Sequence, residues 1–211
     1  LACRPGQFVM ARGSDGCDPY LRRALPIFTA SNPFIALLVR ADEPGRRWLA
    51  HQGVGQPIDL LGPLGQGFVL TPTTRHLLLV AEGMGVAALG AIAAVAAEKG
   101  IAVTLLAGAP SAGAALPADI LPIDVEYQLA TADGSRGAKG GVASLLPAVI
   151  PWADQVFAAG SAGLYRSLAQ AIARHRLRVD DDFAQVWRLD AVACGLGVCG
   201  CCAIETRRGL A

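Results

Sequence analysis

The chain has 211 residues, of which 53% are hydrophobic and 17% are charged, and its formal net charge is +1. An average globular domain has about 25% charged residues. This composition excludes a disordered chain, because so apolar a sequence can bury enough surface to offset its ordering entropy. The balanced charge also argues against a nucleic-acid or anionic-membrane partner, since neither basic nor acidic residues dominate.

The longest uncharged stretch, residues 83–97, predicts a buried helix and no membrane span. It lies between Glu82 and Glu98 and contains several glycines. A helix that crosses a bilayer needs about 20 apolar residues, more than this stretch supplies. No basic segment followed by an apolar one opens the sequence, so we expect no secretory signal and a cytoplasmic chain.

The first part of the chain predicts an antiparallel β domain, residues 1–72. Short β-rich runs at 7–10, 35–40 and 57–61 are separated by Gly, Pro, Asn and Asp. Two arginine pairs, Arg22 with Arg23 and Arg46 with Arg47, could hold a pyrophosphate. Taken alone, each pair is more typical of a solvated charged surface.

The pattern changes after residue 72 and predicts a parallel α/β domain, residues 73–183. Continuous apolar runs at 76–81 and 101–107 flank an alanine-rich helix that ends near Lys99, which is a βαβ unit. Further strands are predicted at 125–130 and 155–159, and a helix at 163–175. A small cysteine-bearing segment, residues 184–211, completes the predicted organisation.

Gly83, Met84 and Gly85 lie where the first parallel strand turns into its helix. Glycines at this point let a dinucleotide pyrophosphate approach the helix N-terminus, although they also serve simply to pack helix against strand. The acidic residue that an ordinary Rossmann fingerprint needs about 20 residues further on is absent. Residues 108–111 after the second strand contain no Arg or Lys, which favours NAD(H) over its 2′-phosphorylated form.

Four of the six cysteines crowd into residues 194–202. Cys194, Cys199 and Cys202 have the C-x4-C-x2-C spacing of plant-type [2Fe–2S] proteins, which need one more cysteine. That fourth ligand lies beyond Ala211, the alternative we favour, or is one of Cys3, Cys17 and Cys201. A zinc site is less favoured because structural zinc sites use two C-x2-C pairs. Reduced cysteines in a glycine-rich turn are the remaining alternative.

Together these motifs resemble the ferredoxin reductase superfamily. Within it the resemblance is to the family of electron-transfer subunits of NAD-linked, two-subunit (B type) dihydroorotate dehydrogenases. The motifs follow the family's order along nearly the whole chain: PGQFV at 5–9, RRALPI at 22–27, LGPLGQGF at 61–68, GMGVA at 83–87, TADGSRGAKG at 131–140, AGS at 159–161 and ACGLGVC at 193–199.

The resemblance implies a Greek-key FAD barrel, a parallel NAD-binding domain and a small [2Fe–2S] segment, the fold of ferredoxin reductases. It implies that these residues bind FAD: Arg23, Ala24, Leu25, Pro26, Leu38, Val39, Arg40, Gly45 and Arg46. It implies that Gly83, Met84, Gly85 and Val86 lie on the nicotinamide side. Four more residues are expected to bind a cofactor: Asp133, Gly134, Gly160 and Ser161. Cys194, Cys199 and Cys202 would bind the cluster. No acid–base residue is named, because the cofactors carry the chemistry.

The implied function is electron transfer between NAD(H), FAD and the cluster for an FMN-containing dihydroorotate dehydrogenase catalytic subunit, in pyrimidine biosynthesis. One alternative is a paralogous reductase subunit that serves ferredoxin, sulfide or another partner. Another is a non-enzymatic metal-binding module. Departures from the family pattern keep these alternatives open: Pro26 replaces a Ser, Arg46 a Thr, Ala159 a Cys, and residues 189–192 differ. We also expect the first barrel strands of the family to be missing.

Overall fold

The protein contains two main sheets, described here from a computed structural model that covers residues 3–31, 33–188, 192–206 and 209–210. The first sheet is antiparallel, with four strands in the order β3-β2-β1-β4. Its elements, with a short helix before the last strand, are β1 (Phe8–Ala11), β2 (Arg23–Ser31), β3 (Phe34–Leu37), α1 (Pro44–Ala50) and β4 (Leu60–Leu64).

The register of the antiparallel sheet determines which side chains it buries. Met10 of β1 is opposite Ala24 of β2, and Phe8 is opposite Pro26. Val9, Leu25 and Ile27 are buried, and with Leu49 of α1 they form the sheet's own hydrophobic core. Helix α1 therefore covers part of this sheet. Strand β2 also contacts α2 (Val86–Glu98) of the second part of the molecule.

The second sheet has six parallel strands in the order β10-β9-β5-β6-β7-β8. Its strands and helices in chain order are β5 (His76–Glu82), α2 (Val86–Glu98), β6 (Ala102–Ala109), β7 (Val125–Thr131), β8 (Ala138–Lys139), α3 (Leu146–Val149), β9 (Gln155–Ala159), α4 (Ala162–His175) and β10 (Ala184–Trp187). Both sheets agree with the predicted fold class.

Strand β5 is buried on both faces, as its continuous apolar sequence predicts. Leu77 and Leu79 pack with residues of α2 on one side. Leu78 and Val80 pack with residues of α3 and α4 on the other. The period of two along the strand thus divides one apolar run between two separate cores.

The uncharged stretch 83–97 forms a 3₁₀ turn, Gly83–Gly85, and then most of α2. Leu89 and Ile92 of α2 are almost completely buried. Within the described parts of the chain, no helix combines the length and apolar character that crossing a bilayer requires.

The antiparallel sheet packs against α2, the helix that covers one face of the parallel sheet. A Cβ atom on Gly90 of α2 would lie 2.3 Å from the ring of Phe28, so this helix glycine allows α2 to lie flat on β2. The rings of Phe68 and Phe157 stack with centroids 4.7 Å apart. The Trp187 indole N–H donates to the carbonyl oxygen of Gly6 at 2.6 Å, which ties β10 to the start of the antiparallel sheet.

The parallel sheet extends beyond residue 183, where we placed a domain boundary. Strand β10 pairs with β9 and belongs to this sheet through Trp187. Farther on, β11 (Glu205–Thr206) and β12 (Gly209–Leu210) form a small antiparallel pair. The departure noted at 189–192 lies outside the described residues except for Val192. The three-domain division stays a prediction, with the sheet's end moved to Trp187.

Candidate functional site

The strand order of the parallel sheet creates a crevice at one end of β5. From β5 the chain moves through β6, β7 and β8 to one side, and β9 and β10 lie on the other. In open α/β sheets, ligands bind beyond the carboxyl ends of strands at such a switch in direction. Two clefts open here, beside Glu82 at the end of β5 and Gly160 just after β9.

The first cleft has a volume of about 310 Å³ and lies between the two sheets. The antiparallel side contributes six residues: Ala24, Leu25, Pro26, Leu38, Arg40 and Arg46. The parallel side contributes five: Glu82, Met84, Gly85, Gly160 and Trp187. Residues of β2 make one part of the wall apolar, and Arg40 and Arg46 make another part cationic. Such a cleft suits a ligand that has a flat ring and a phosphate chain.

The two arginines of the first cleft share one carboxylate. Arg40 donates through Nε to Asp42 at 2.9 Å, and Arg46 donates through Nη1 to the other oxygen of Asp42 at 2.7 Å. A guanidinium has five N–H donors, so both side chains keep donors for an anion. The shared carboxylate holds the two cations side by side.

Arg23 is committed to a different carboxylate and does not line either cleft. Its Nε and Nη2 donate to the two oxygens of Glu43 at 2.9 and 2.7 Å. This pair lowers the pKa of Glu43 to about 2, with further help from the backbone N–H groups of Arg46 and Gly45 that Glu43 caps. Arg23 therefore holds the start of α1, and its predicted direct contact with FAD stays a prediction.

The second cleft, of about 540 Å³, lies over the parallel sheet. It shares four residues with the first cleft: Arg40, Glu82, Met84 and Gly160. The rest of its lining is Gly83, Gly108, Ala109, Pro110, Ala132, Gly140, Gly141, Val142 and Ser161. Ligands in the two clefts would thus meet across a common wall.

The two glycines of the G-x-G sequence have different roles. Gly83 has a φ of +54°, and a Cβ atom there would meet no other atom within 4 Å, so its lack of a side chain keeps the cleft open. A Cβ atom on Gly85 would lie 2.0 Å from the carbonyl oxygen of Ala159, so Gly85 allows α2 to pack against β9. The packing role of Gly85 is thus explained by its contact with Ala159, and a role of Gly83 in binding a dinucleotide stays a prediction.

Five more predicted binding residues lie outside the lining of both clefts: Val39, Gly45, Val86, Asp133 and Gly134. Val86 is buried in the core beneath α2. Asp133 accepts hydrogen bonds within its own turn from Ser135 N and Oγ, which lower its pKa. Direct binding by these five residues stays a prediction.

Sequence reasoning missed Glu82 and Trp187. Glu82 ends β5 and accepts hydrogen bonds on Oε2 from Ser161 Oγ at 2.6 Å and Ser161 N at 3.2 Å. Trp187 ends β10, and its carbonyl oxygen accepts from the Tyr165 hydroxyl, which in turn accepts from Gly160 N at 3.0 Å. The position of Glu82 at the carboxyl end of a parallel strand could have indicated a residue that lines the ligand site. Trp187 gave none, because β10 itself was not predicted.

The cysteine loop, residues 194–202, directs backbone N–H groups at the sulfur of Cys194. Leu196 N donates to Cys194 Sγ at 3.3 Å. That bond, others from Cys199 and Val198 N–H, and the Cys199 thiol lower the pKa of Cys194 to about 6. Sulfur that accepts N–H bonds is the environment of iron–sulfur ligands, so the donor chemistry fits a cluster. Within the described residues, no three His, Cys, Asp or Glu side chains are grouped to hold a metal ion, and the ligand set of Cys194, Cys199 and Cys202 stays a prediction.

The cysteine loop packs directly behind the first cleft. A Cβ atom on Gly195 would lie 2.6 Å from Met10 Cγ and 3.1 Å from Leu64 Cδ1. Met10 is opposite Ala24 in the sheet, and Ala24 lines the first cleft. One strand, β1, therefore separates the cleft from the start of the cysteine loop.

Solved structures of two reductases have a similar fold. The chain superimposes on an NADH-dependent reduced ferredoxin-NADP oxidoreductase with a TM-score of 0.83, 24% sequence identity, and coverage of 99% of this chain and 74% of that one. It superimposes on the ferredoxin reductase of carbazole 1,9a-dioxygenase with a TM-score of 0.71 and 22% identity, over 88% of this chain and 60% of that one. The fold is that of the ferredoxin reductases.

Sequence comparison gives the family. No protein-family model matches the chain. The dihydroorotate dehydrogenase B (NAD(+)) electron transfer subunit of Desulforamulus reducens is 30% identical over 206 residues, 95% of this chain and 77% of the relative. The corresponding subunit of Shouchella clausii is 32% identical over 212 residues, 99% of this chain and 79% of the relative. The chain belongs to the family of dihydroorotate dehydrogenase B electron transfer subunits, and it is an oxidoreductase.

Proposed function

We propose that this chain transfers electrons between NAD(H), FAD and a [2Fe–2S] cluster, and delivers or receives them at a dihydroorotate dehydrogenase catalytic subunit that carries FMN. The proposal rests on one observation: the first cleft adjoins both the second cleft and the cysteine loop. The two clefts share a wall of four residues, and β1 alone lies between the first cleft and the cysteine loop.

The first cleft is the proposed FAD site. Ala24, Leu25 and Pro26 offer an apolar surface to the flavin ring, and Trp187 closes the opposite side. Arg40 and Arg46, held together by Asp42, would bind the pyrophosphate through their remaining N–H groups. Bound FAD supplies the step between two-electron nicotinamide chemistry and one-electron iron–sulfur chemistry.

The second cleft is the proposed NAD(H) site. Gly83, Gly140 and Gly141 leave it open, because a Cβ atom on any of them would meet no atom within 4 Å. The 3₁₀ turn Gly83–Gly85 leads into α2 at the junction of the clefts, and neither has an acidic residue in its first turn, which suits a phosphate at the positive end of the helix. Gly108, Ala109 and Pro110 provide no cation for a 2′-phosphate, in keeping with NAD(H).

Cys194, Cys199 and Cys202 are the proposed cluster ligands. Gly195, Gly197 and Gly200 have φ values of +69°, +74° and +69°, a conformation that L side chains rarely adopt. They let the loop turn its N–H groups toward sulfur, and small residues leave room for a cluster's sulfides. The exposed Leu196 and Val198 beside these cysteines would face the partner subunit.

The test is the cofactor content of the full chain purified under anaerobic conditions. We expect about one FAD, two irons and two acid-labile sulfides per chain. Cys199→Ser should lose iron and sulfide but retain FAD. A colourless protein that holds zinc and no flavin would overturn the proposal.

The choice of partner needs its own measurement. The NADH-reduced chain should reduce an FMN-containing dihydroorotate dehydrogenase subunit from the same source, and the two should copurify. Reduction of ferredoxin or sulfur compounds without transfer to that subunit would instead identify a paralogous reductase.

A further inference from the structure

We propose that Glu82 makes the nicotinamide site selective for the oxidised, positively charged form of the coenzyme. The inference rests on the proposed function and adds a specificity-determining residue to it. Glu82 is the last residue of β5 and lines both clefts. Of the described residues that line either cleft, it is the one acid.

The carboxylate of Glu82 is held in a fixed position. Oε2 accepts two hydrogen bonds from Ser161, through Oγ at 2.6 Å and N at 3.2 Å. Ser161 is itself fixed, because its Oγ accepts from Leu164 N as the N-cap of α4. A Cβ atom on Gly160 would lie 2.7 Å from Glu82 Cβ, so the backbone after β9 packs closely against this side chain.

The charge of Glu82 is available to a ligand. Within the described residues its Oε1 accepts no hydrogen bond, and Glu82 forms no ion pair. The two arginines of the region, Arg40 and Arg46, pair with Asp42 at 2.9 and 2.7 Å and not with Glu82, and because they share that single carboxylate they keep N–H donors for a ligand's phosphates. One fixed, unpaired negative charge therefore remains where the two clefts join.

The coenzyme's two redox forms differ in charge at this position. The oxidised nicotinamide ring is a cation and the reduced ring is neutral, while the rest of the molecule is the same. An opposite charge within about 4–6 Å stabilises a charged group by a factor of ten or more when both are shielded from water. Glu82 thus favours the oxidised over the reduced coenzyme in a site that binds both.

The test compares NAD⁺ with 1,4,5,6-tetrahydro-NAD, a neutral analogue that donates no hydride, on oxidised full-length holoprotein by calorimetric titration. Glu82→Gln should weaken NAD⁺ binding about tenfold and change the Kd of the neutral analogue less than about threefold. Glu82→Asp keeps the charge and should retain the preference. Glu98→Gln, at the far end of α2, is the matched control and should change neither Kd.

Each outcome separates this inference from the function on which it rests. Equal changes for both ligands in Glu82→Gln, or no change for either, would overturn the role of Glu82 and leave the proposed function intact. Loss of the preference in Glu82→Asp as well would assign the effect to side-chain shape and overturn it too. Failure of the unaltered protein to bind either ligand would overturn the proposed function.

Discussion

At the scale of single residues, the Arg23–Glu43 pair shows how a sequence signal for cofactor binding can serve the fold. Glu43 caps α1 through the N–H groups of Gly45 and Arg46, and Arg23 binds both of its oxygens. A bidentate guanidinium–carboxylate pair is among the stronger polar contacts in proteins. It positions the helix that carries Arg46 into the first cleft.

Glu43→Gln should lower the free energy of unfolding by about 1–3 kcal/mol at pH 7, because the variant loses a charge-assisted pair and part of a helix cap. Folding lowers the pKa of Glu43 from 4.5 to about 2. The stabilisation is therefore complete above pH 4.5 and is lost as the pH falls toward 2. Urea denaturation at a series of pH values should show the two proteins converging in acid.

The matched control is Asp59→Asn, which removes the partner of Arg22 from a more exposed pair. Its effect should be the smaller of the two, because solvent screens the interaction. An equal loss in both variants, or a Glu43→Gln difference that does not depend on pH, would contradict the role given to Glu43.

The two glycines of the G-x-G turn should separate stability from binding. Gly85→Ala should destabilise the protein by about 1–3 kcal/mol, because its Cβ would overlap the Ala159 carbonyl. In Gly83→Ala the new Cβ atom would contact no other atom, so the main effect should be weaker NAD(H) binding. The left-handed backbone at this position should lower the free energy of unfolding by about 1–2 kcal/mol at most. Thermal unfolding and coenzyme titration of both variants check this, and the reverse pattern would refute it.

At the scale of elements, strands buried on both faces were predictable from sequence. The runs predicted at 76–81 and 155–159 match β5 and β9 closely, since continuous apolar sequence has few other uses in a chain of this composition. Strand β2 was missed because Pro26 interrupts its pattern. Helix α1 was missed because residues 1–72 were interpreted as β structure throughout. The Glu43–Pro44 start of α1 was a signal in hindsight, since Pro favours the first helical position.

The link between α4 and β10 gives a prediction at this scale. The Tyr165 hydroxyl joins Gly160 N–H to the carbonyl of Trp187, so one group connects the turn after β9 with the end of β10. Tyr165→Phe leaves both backbone groups without that partner and should cost about 1–3 kcal/mol. It should also weaken FAD retention, because Gly160 and Trp187 line the first cleft.

Tyr127→Phe provides the comparison, since that hydroxyl makes a single bond to Leu116 O at 3.1 Å, away from the clefts. Urea denaturation and flavin release should both be affected more in Tyr165→Phe. Equal stability losses together with unchanged flavin release would show that the link does not shape the cleft.

At the scale of the whole molecule, the sequence indicated the fold, but it did not indicate the contacts that bring the predicted binding segments together. The G-x-G turn, the arginines and the cysteines each had a local signature. The shared wall of the clefts depends on contacts between distant segments, such as Glu82 with Ser161 and Trp187 with Gly6. Such pairings follow from strand order and sheet packing, which local spacing does not encode.

The proposed transfer of electrons across the molecule is tested most directly by anaerobic titration of the full-length holoprotein with NADH while the visible spectrum is recorded. Adjacent sites for nicotinamide, flavin and cluster predict that NADH bleaches the flavin band and that the iron–sulfur absorbance then falls, with Cys199→Ser showing the flavin change alone. A protein that contains both FAD and iron but keeps its oxidised spectrum in excess NADH would contradict the proposed route.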